Sequence, residues 1–541
     1  MKHLIITCFL SFVFISCTFG QRKMDPGFEK VARTMTLIER LYVDTINNDK
    51  LAEETIIALL DRLDPHSSYF NAEEVKDKTE SLQGHFDGIG IQFNMLTDTL
   101  YVVQVLSGGP SEKVGLMAGD KIISVNDTVI AGVKMKTTEI MSRLKGPKGT
   151  VANIEVKRGK SEKLIPFRII RDKIPTFSID AAYMLDKENG YVRINKFAST
   201  TYDEFKEAYE KLHKQGMKNL ILDLQGNGGG YMHTAVYTAN EFLKRGNLIT
   251  YTEGAHMKRE NYVASRKGNL TDGRIVVLVD ESSASASEIL AGAIQDWDRG
   301  VVIGRRTFGK GLVQRPLPLG DGSEIHLTVS RYYTPSGRSI QKPYEKGDAD
   351  SYNKEVMLRY NHGELMNADS IHFPDSLKYN TLLNQRTVYG GGGIMPDYFI
   401  PLDTTRFGEY HRVLAATGTI NKYILELLDA NRTTYLSRYK NVKTFDVQFM
   451  VTNAMLRDLF KLYEKERLSD EALPEYGDEA KAPLLEENSL VKTQIKALVA
   501  RDLWDTTDYY QIMNKENESV IRALEIIRNP EEYNKLLGTS R

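Results

Sequence analysis

Residues 274–300 read RIVVLVDESSASASEILAGAIQDWDRG. The apolar run Ile275 to Val279 has the pattern of a strand buried on both faces. Past a segment of small residues, Ile289, Leu290, Ala293, Ile294 and Trp297 fall at helical spacing. A serine therefore sits where a strand turns into a helix. The first amides of a helix lack an intrahelical acceptor and carry the positive end of its macrodipole, so an anion forming beside that serine would be stabilised. The same placement suits Ser282, Ser283, Ser285 and Ser287 as ordinary helix caps. This stretch alone leaves cap and nucleophile open.

Two further loops bear on the choice. NLILDLQGNGGG (219–230) is a strand candidate followed by Gly226, Asn227, Gly228, Gly229 and Gly230, a run that exposes backbone amides and admits a substrate close to the chain. A plain tight turn would look the same. RRTFGKGLVQ (305–314) places Lys310 between Gly309 and Gly311, with Gln314 beyond. A lysine becomes a usable general base only when burial or a neighbouring cation lowers its pKa. On a straight strand Lys310 and Gln314 would lie ~13 Å apart, so contact between them requires a bend, expected at Gly311.

The segments LDPHSSYF, LDLQGNGGG, SASASEILAGAIQD, TFGKGLVQ and GGIMPDYFIP occur in this order between Leu63 and Pro401. Together they resemble those of the C-terminal processing, or tail-specific, serine peptidases. The resemblance implies that Ser285 is the nucleophile and Lys310 the general base, at the separation the family pattern requires. It assigns Gln314 to orienting the lysine and Asp296 to a structural or supporting role. The backbone N–H groups of Ala286 and of Gly229 in the glycine loop would form the oxyanion hole. A serine is a weak nucleophile until a base takes its proton, which a neutral Lys310 would do. LDPHSSYF and GGIMPDYF are diagnostic of the family, and turn formation is their default role.

Residues 83–172 resemble a PDZ domain, with FDGIGIQF (86–93) in the place of its carboxylate-binding loop and first groove strand, and with GPSEKVGLMAGDKIISVN (109–126) in support. In this mode a peptide adds a strand to an open sheet edge and backbone amides capture its terminal carboxylate. Ile89, Gly90 and Ile91 would supply those amides. Ile89, Ile91, Met141 and Leu144 would line a pocket for the last side chain, although each of the four fits a core position equally well.

The whole chain reads as multidomain α+β. A helical region (21–82) precedes the PDZ-like module (83–172), an α/β crossover-type peptidase core follows (173–403), and a second helical region (404–541) ends the chain. Within the core, residues 344–385 are polar, lack a clear period, and are expected to form a surface insertion. The length of 541 residues and the hydrophobic and charged fractions of 41% and 26% exclude collagen-like, disordered and multi-span membrane classes. A formal net charge of -1 removes the usual electrostatic case for a nucleic-acid partner.

Lys2 and His3 precede an apolar run from Leu4 to Phe19, too short to span a bilayer. A signal peptide (1–20) cut before Gln21 is expected, with lipidation at Cys17 as the rival, so the mature protein is exported to the periplasm or cell envelope. Cys8 and Cys17 are the two cysteines, and trimming there leaves no disulfide. The sequence offers no HExxH, no P-loop and no implied cofactor or metal. His233 and His326 come nearest to the motifs and would be the bases of a competing Ser–His–Asp arrangement, although each fits a satisfied surface or core histidine better.

The expected function is an exported serine endopeptidase that recognises C-terminal tails through its PDZ domain. The alternative is a catalytically silent tail-binding adaptor. Expected partners are proteins or peptides with free C-terminal tails, with an adaptor protein and a homo-oligomer as further expectations.

Overall fold

The computed structural model describes residues 25–96, 98–106, 108–159, 161–406, 408–468 and 489–539. The expected leader, its cleavage point and Cys17 lie outside them. Residues up to Leu60 form one compact unit and those from Asp61 onward another. The first holds α1 (Pro26–Leu41) and α2 (Asn48–Leu60). Asp25 caps α1 by accepting the Gly27 N–H at 2.7 Å, and Pro26 occupies the first turn, where its missing donor costs nothing.

The second unit opens with β1 (Ser68–Phe70) and α3 (Ala72–Gln83). Asn71 and Glu74 close a reciprocal capping box on α3, and Gly84 ends it in the left-handed region. Residues 61–82 were expected to belong with the N-terminal helices. They belong instead with the larger unit, because β1 pairs antiparallel with a strand of the core, Ser68 opposite His326.

The PDZ domain comprises β2 (His85–Gly88), β3 (Ile91–Leu96), β4 (Thr99–Val105), α4 (Pro110–Lys113), β5 (Lys121–Val125), β6 (Thr128–Val129), α5 (Thr137–Leu144), β7 (Val151–Lys157), β8 (Leu164–Ile170) and β9 (Asp172–Pro175). Its sheet has the order β3-β4-β5-β7-β8, with β6 beside β5, so β3 is an open edge. β2 and β9 pair as a two-stranded ribbon where the chain enters and leaves. β7 alternates as a half-buried strand should, with Ala152, Ile154 and Val156 turned into the core.

The peptidase core contains β10 (Ile179–Met184), β11 (Asn189–Ile194), α6 (Thr201–Lys214), β12 (Asn219–Asp223), α7 (Met232–Asn240), β13 (Leu248–Glu253), β14 (Glu260–Val263), β15 (Ile275–Val279), α8 (Ala286–Asp296), β16 (Val301–Gly304), β17 (Leu312–Pro318) and β18 (Glu324–Tyr333). It continues through α9 (Ala349–Asn361), β19 (Lys378–Asn380), β20 (Thr387–Tyr389) and β21 (Tyr398–Phe399). The central sheet runs β10-β11-β12-β15-β16-β21, parallel from β11 onward with β10 antiparallel at the edge. Every residue of β12, β15 and β16 is buried, as strands covered on both faces must be. Within the stretch 173–403, expected to be a crossover-type core, β18 instead belongs to a separate antiparallel sheet with β1, β13, β14 and β17.

Beyond the core stand α10 (Glu409–Ala416), α11 (Thr419–Arg438), α12 (Val442–Gln448), α13 (Asn453–Arg467), α14 (Ser489–Leu503), α15 (Thr506–Met513), α16 (Glu518–Arg528) and α17 (Pro530–Leu536). The C-terminal helices serve two purposes. α10 to α15 surround their own apolar core, which includes Tyr423, Phe445, Leu459 and Ile495. α16 and α17 place Val520, Ala523, Ile526, Ile527 and Tyr533 against Ile221, Val276, Leu278 and Ile303, covering one face of the central sheet. α6, α7 and α8 cover the other.

The stretch 344–385 does more than lie on the surface. Its helix α9 buries Tyr352 and Arg359, and Arg359 donates to the carbonyls of Arg306 and Thr307 at 2.6 and 3.1 Å. At the far end of α8, Asp296 and Arg338 form a fully buried ion pair at 2.7 Å, and the other Asp296 oxygen accepts the Ser336 N–H at 2.9 Å. Removing one partner strands the other's charge in the interior. Asp296→Ala is therefore expected to lower unfolding free energy by about 3–5 kcal/mol, read from the shift of the urea unfolding midpoint.

Candidate active site

Ser285 stands between β15 and α8 with φ 55° and ψ −112°, a positive φ that a non-glycine residue adopts only under constraint. The constraint comes from both sides. Asp280 accepts the N–H groups of Ser282 and Ser283 at 3.0 Å each and that of Gly226 in the glycine loop, also at 3.0 Å. Downstream, Tyr332 Oη donates to the Ser285 carbonyl at 3.1 Å. The other buried serines of the run brace the glycine loop rather than capping the helix. Ser283 Oγ donates to Leu224 O at 2.8 Å, and Ser287 Oγ donates to Asn227 O at 2.9 Å.

That loop is pressed against Ser285. A Cβ on Gly229 (φ 105°) would come within 2.8 Å of both Ser285 Cβ and Ala284 O, so only glycine permits the approach. The Ala286 N–H, at the first position of α8, has no acceptor among the described residues. Gly229 differs from expectation as a donor. Its N–H is given to Asn227 Oδ1 at 2.8 Å, whereas the Gly228 N–H in the same loop has no acceptor among the described residues.

Glu288, which no motif singles out, joins the Ser285 backbone to the loop that carries Lys310. Its buried carboxylate accepts the Ser285 N–H at 2.8 Å and the Lys310 N–H at 2.9 Å on Oε2. On Oε1 it accepts the Gly309 N–H at 2.8 Å and Thr307 Oγ1 at 2.5 Å. Burial pushes the Glu288 carboxyl up to about 7, against the pull of these donors. Ser285-Ala-Ser-Glu288 fits the capping-box pattern, and that was the available signal. Thr307 is held in turn by the GGIMPDYF segment, its Oγ1 accepting the Ile394 N–H at 2.6 Å.

Lys310 is mostly enclosed. Burial lowers its pKa, the charge of Lys78 lowers it further, and Glu288 and Asp64 act in the opposite direction. Gln314 is not turned to the lysine. Its amide donates to Thr328 Oγ1 at 3.1 Å, and Thr328 Oγ1 donates to Asp64 Oδ1 at 2.9 Å. The expected bend at Gly311 falls instead at a register shift between Val313 and Gln314 in the β17–β18 pairing. LDPHSSYF therefore has a place in the site: Asp64 also accepts Ser67 Oγ at 2.6 Å, and Ser67 Oγ accepts the Thr328 N–H at 3.1 Å.

The histidines have other partners. His233 packs its ring between Tyr231 and Tyr237. His326 accepts from Lys78 Nζ at 3.2 Å. His66 pairs with Tyr352 Oη at 2.9 Å and is lowered to about 4 by burial and by Lys310. Among the described residues no histidine side chain hydrogen-bonds Ser285.

In the PDZ domain, Ile89, Gly90, Ile91, Met141 and Leu144 line one cleft of about 550 Å³, together with Phe86 and Phe93. Ile89, Ile91 and Leu144 also belong to the domain core, so groove and core are the same side chains seen from two sides. The open edge of β3 faces this cleft, and its far wall carries Asp77 and Glu80 of α3, which hold Lys145 at 3.2 and 3.3 Å.

A strand-to-helix serine, an enclosed lysine and a groove along an open strand edge fit a serine peptidase carrying a PDZ domain. Family models agree: residues 188–349 match peptidase family S41, residues 88–167 match the PDZ domain, and residues 410–505 match a family of unknown function. The chain is 35% identical over 322 residues to a carboxy-terminal-processing protease of Bartonella bacilliformis, covering 58% of this chain and 73% of that one. It is 33% identical over 347 residues to the carboxy-terminal processing protease CtpA of Bacillus subtilis, covering 63% and 73%. A solved photosystem II D1 C-terminal processing protease aligns over 57% of this chain and 88% of its own, at 28% identity and a TM-score of 0.32. The chain belongs to the carboxy-terminal-processing serine protease family.

Glu288→Ala leaves the Ser285, Gly309 and Lys310 amides without their acceptor. The expected result is a loss of about 1–3 kcal/mol of stability per buried group left unpaired, together with loss of peptide cleavage although Ser285 and Lys310 are intact. Thermal unfolding and a cleavage assay on the same preparation check both.

Proposed function

We propose that the protein is an exported endopeptidase in which Ser285 and Lys310 form the catalytic dyad and the PDZ groove selects substrates by their C-terminal tails. The observation that carries this reading is the single Glu288 carboxylate shared by the Ser285 and Lys310 amides. Neutral Lys310 takes the Ser285 Oγ proton as Oγ attacks the scissile carbonyl. The oxyanion is received by the Ala286 N–H and by an amide of the glycine loop, each donor typically contributing about 3 kcal/mol. The Lys310 ammonium then protonates the leaving amine, and the same amine later activates water to release the acyl group. No metal or cofactor enters these steps.

Among the described residues the Gly228 amide has no acceptor, while Gly229 would first have to release Asn227. The apolar cleft beside β3 suits a tail that ends in an apolar residue. Export to the periplasm or envelope rests on the run Leu4 to Phe19, with release before Gln21 or lipid attachment at Cys17. Among the described residues no helix is long and apolar enough to cross a membrane.

Wild type is expected to cut an unstructured protein bearing an apolar tail in preference to the same protein without it, and folded Ser285→Ala and Lys310→Ala to cut neither. Tight tail binding by a wild type that never turns over would point to the silent adaptor. Because the base must be a neutral amine, the cleavage rate is expected to rise toward alkaline pH through the Lys310 titration, which burial places below the usual lysine range. A profile set near ~6.5, the value of an ordinary histidine, and surviving Lys310→Ala would contradict the dyad.

A further inference from the structure

The backbone on either side of Lys310 is tied down at several points. Glu288 takes the Gly309 and Lys310 N–H groups, the Gly309 carbonyl accepts the Lys342 N–H at 2.9 Å, and the Gly311 carbonyl accepts the Tyr332 N–H at 2.9 Å. The remaining amide is that of Gly311, and a side chain from beyond β18 receives it: Gln341 Oε1 accepts the Gly311 N–H at 2.8 Å. Gln341 is itself held at its other end. Its Nε2 donates to the Lys342 carbonyl at 2.9 Å and to Tyr352 Oη at 3.2 Å, so its partners dictate which end of the amide faces the loop. Tyr352 Oη in turn lies 2.9 Å from His66 Nε2. Tyr352 is buried on α9 of the stretch 344–385, and His66 belongs to LDPHSSYF.

We propose that Gln341 is a positioning residue for the general base and that Tyr352 and His66 orient it: a hydrogen-bonded chain from His66 through Tyr352 and Gln341 to the Gly311 amide fixes the loop that carries Lys310. The inference rests on the reading of Lys310 as the base. The direction of the chain follows from its donors. Tyr352 Oη accepts from Gln341, so its own proton goes to His66 Nε2, which must then carry none. His66 is kept neutral by burial and by the charges of Lys310 and Lys342, against Asp64, and its ring proton sits on Nδ1. The members are also fixed outside the chain. The His66 and Tyr352 rings meet edge to face at 5.0 Å, the His66 N–H donates to Asp64 Oδ1 at 2.9 Å, and Lys342 Nζ donates to the Tyr352 carbonyl at 3.0 Å. LDPHSSYF therefore supports the strand after Lys310 through Asp64 and Thr328, and the loop itself through His66 and Tyr352. A base must stand within hydrogen-bond reach of the proton it takes, and a displacement of about 1 Å is enough to lose much of the rate.

The test is the saturation kinetics of Ser285 labelling by a serine-directed phosphonylating probe across pH. It is run on the full chain as wild type, Gln341→Met, Tyr352→Phe, the double variant of these two, His66→Leu, His66→Gln and Lys310→Ala, with a thermal melt of each. Gln341→Met is expected to lower the high-pH limiting rate by about tenfold to a hundredfold. The midpoint of the alkaline rise and the half-saturating probe concentration stay in place, because the position of the amine changes and its protonation does not. Tyr352→Phe and His66→Leu each remove one bond of the chain and are expected to cost about threefold to tenfold. His66→Gln keeps an acceptor and is expected to recover most of that loss, and the double variant to lose no more than Gln341→Met alone. A limiting rate within about twofold of wild type in folded Gln341→Met, or in Tyr352→Phe should Gln341→Met fail to fold, overturns the inference. So do losses that multiply in the double variant, or a His66→Gln no better than His66→Leu. An alkaline rise that survives Lys310→Ala instead overturns the reading of the base on which the inference rests.

Discussion

The Glu288 carboxylate is the interaction on which the site depends. Two loops leave neighbouring parallel strands, one carrying Ser285 after β15 and the other carrying Lys310 after β16, and nothing in the sheet itself fixes their separation. A buried carboxylate with four donors does, because each oxygen takes one bond from the lysine loop's backbone and the pair together also take Thr307 and Ser285. Burying such a charge is costly unless its hydrogen bonds are made, so the arrangement holds only with both loops in place. The strained backbone of Ser285 is a consequence: its N–H is fixed to Glu288 and its carbonyl to Tyr332.

Around this clamp the fold works as successive supports. GGIMPDYF holds Thr307, α9 caps the lysine-loop carbonyls through Arg359, and Asp64 of LDPHSSYF reaches Gln314 through Thr328. α16 and α17 close the open face of the central sheet, without which its fully buried strands would be exposed. The helix α3 carries Asp77 and Glu80, which hold Lys145 beside the PDZ cleft, and Lys78, whose Nζ donates to His326 Nδ1 on β18.

Much of this was legible in the residues. The periodicity of 274–300 marked β15 and α8, and FDGIGIQF with Met141 and Leu144 marked a groove that the fold assembles. What escaped reading was mostly long-range. A glutamate inside a helix looks solvated until the lysine loop is folded over it, and a polar segment such as 344–385 hides Tyr352 and Arg359 among exposed neighbours. The preference of the Gly229 amide for Asn227 depends on side-chain placement that spacing does not encode. That β18 lies in a second sheet within the expected crossover core was not legible, because periodicity reports burial and not which sheet a strand joins.

The most direct measurement is a crystal structure of the full chain with Ser285 phosphonylated. The account predicts an adduct on Ser285 Oγ with its oxygen against the Ala286 N–H, the Glu288 carboxylate still bridging the Ser285 and Lys310 amides, and Lys310 Nζ directed at the adduct. An adduct whose nearest base is any group other than Lys310, or one formed with Glu288 detached from the lysine loop, would contradict it.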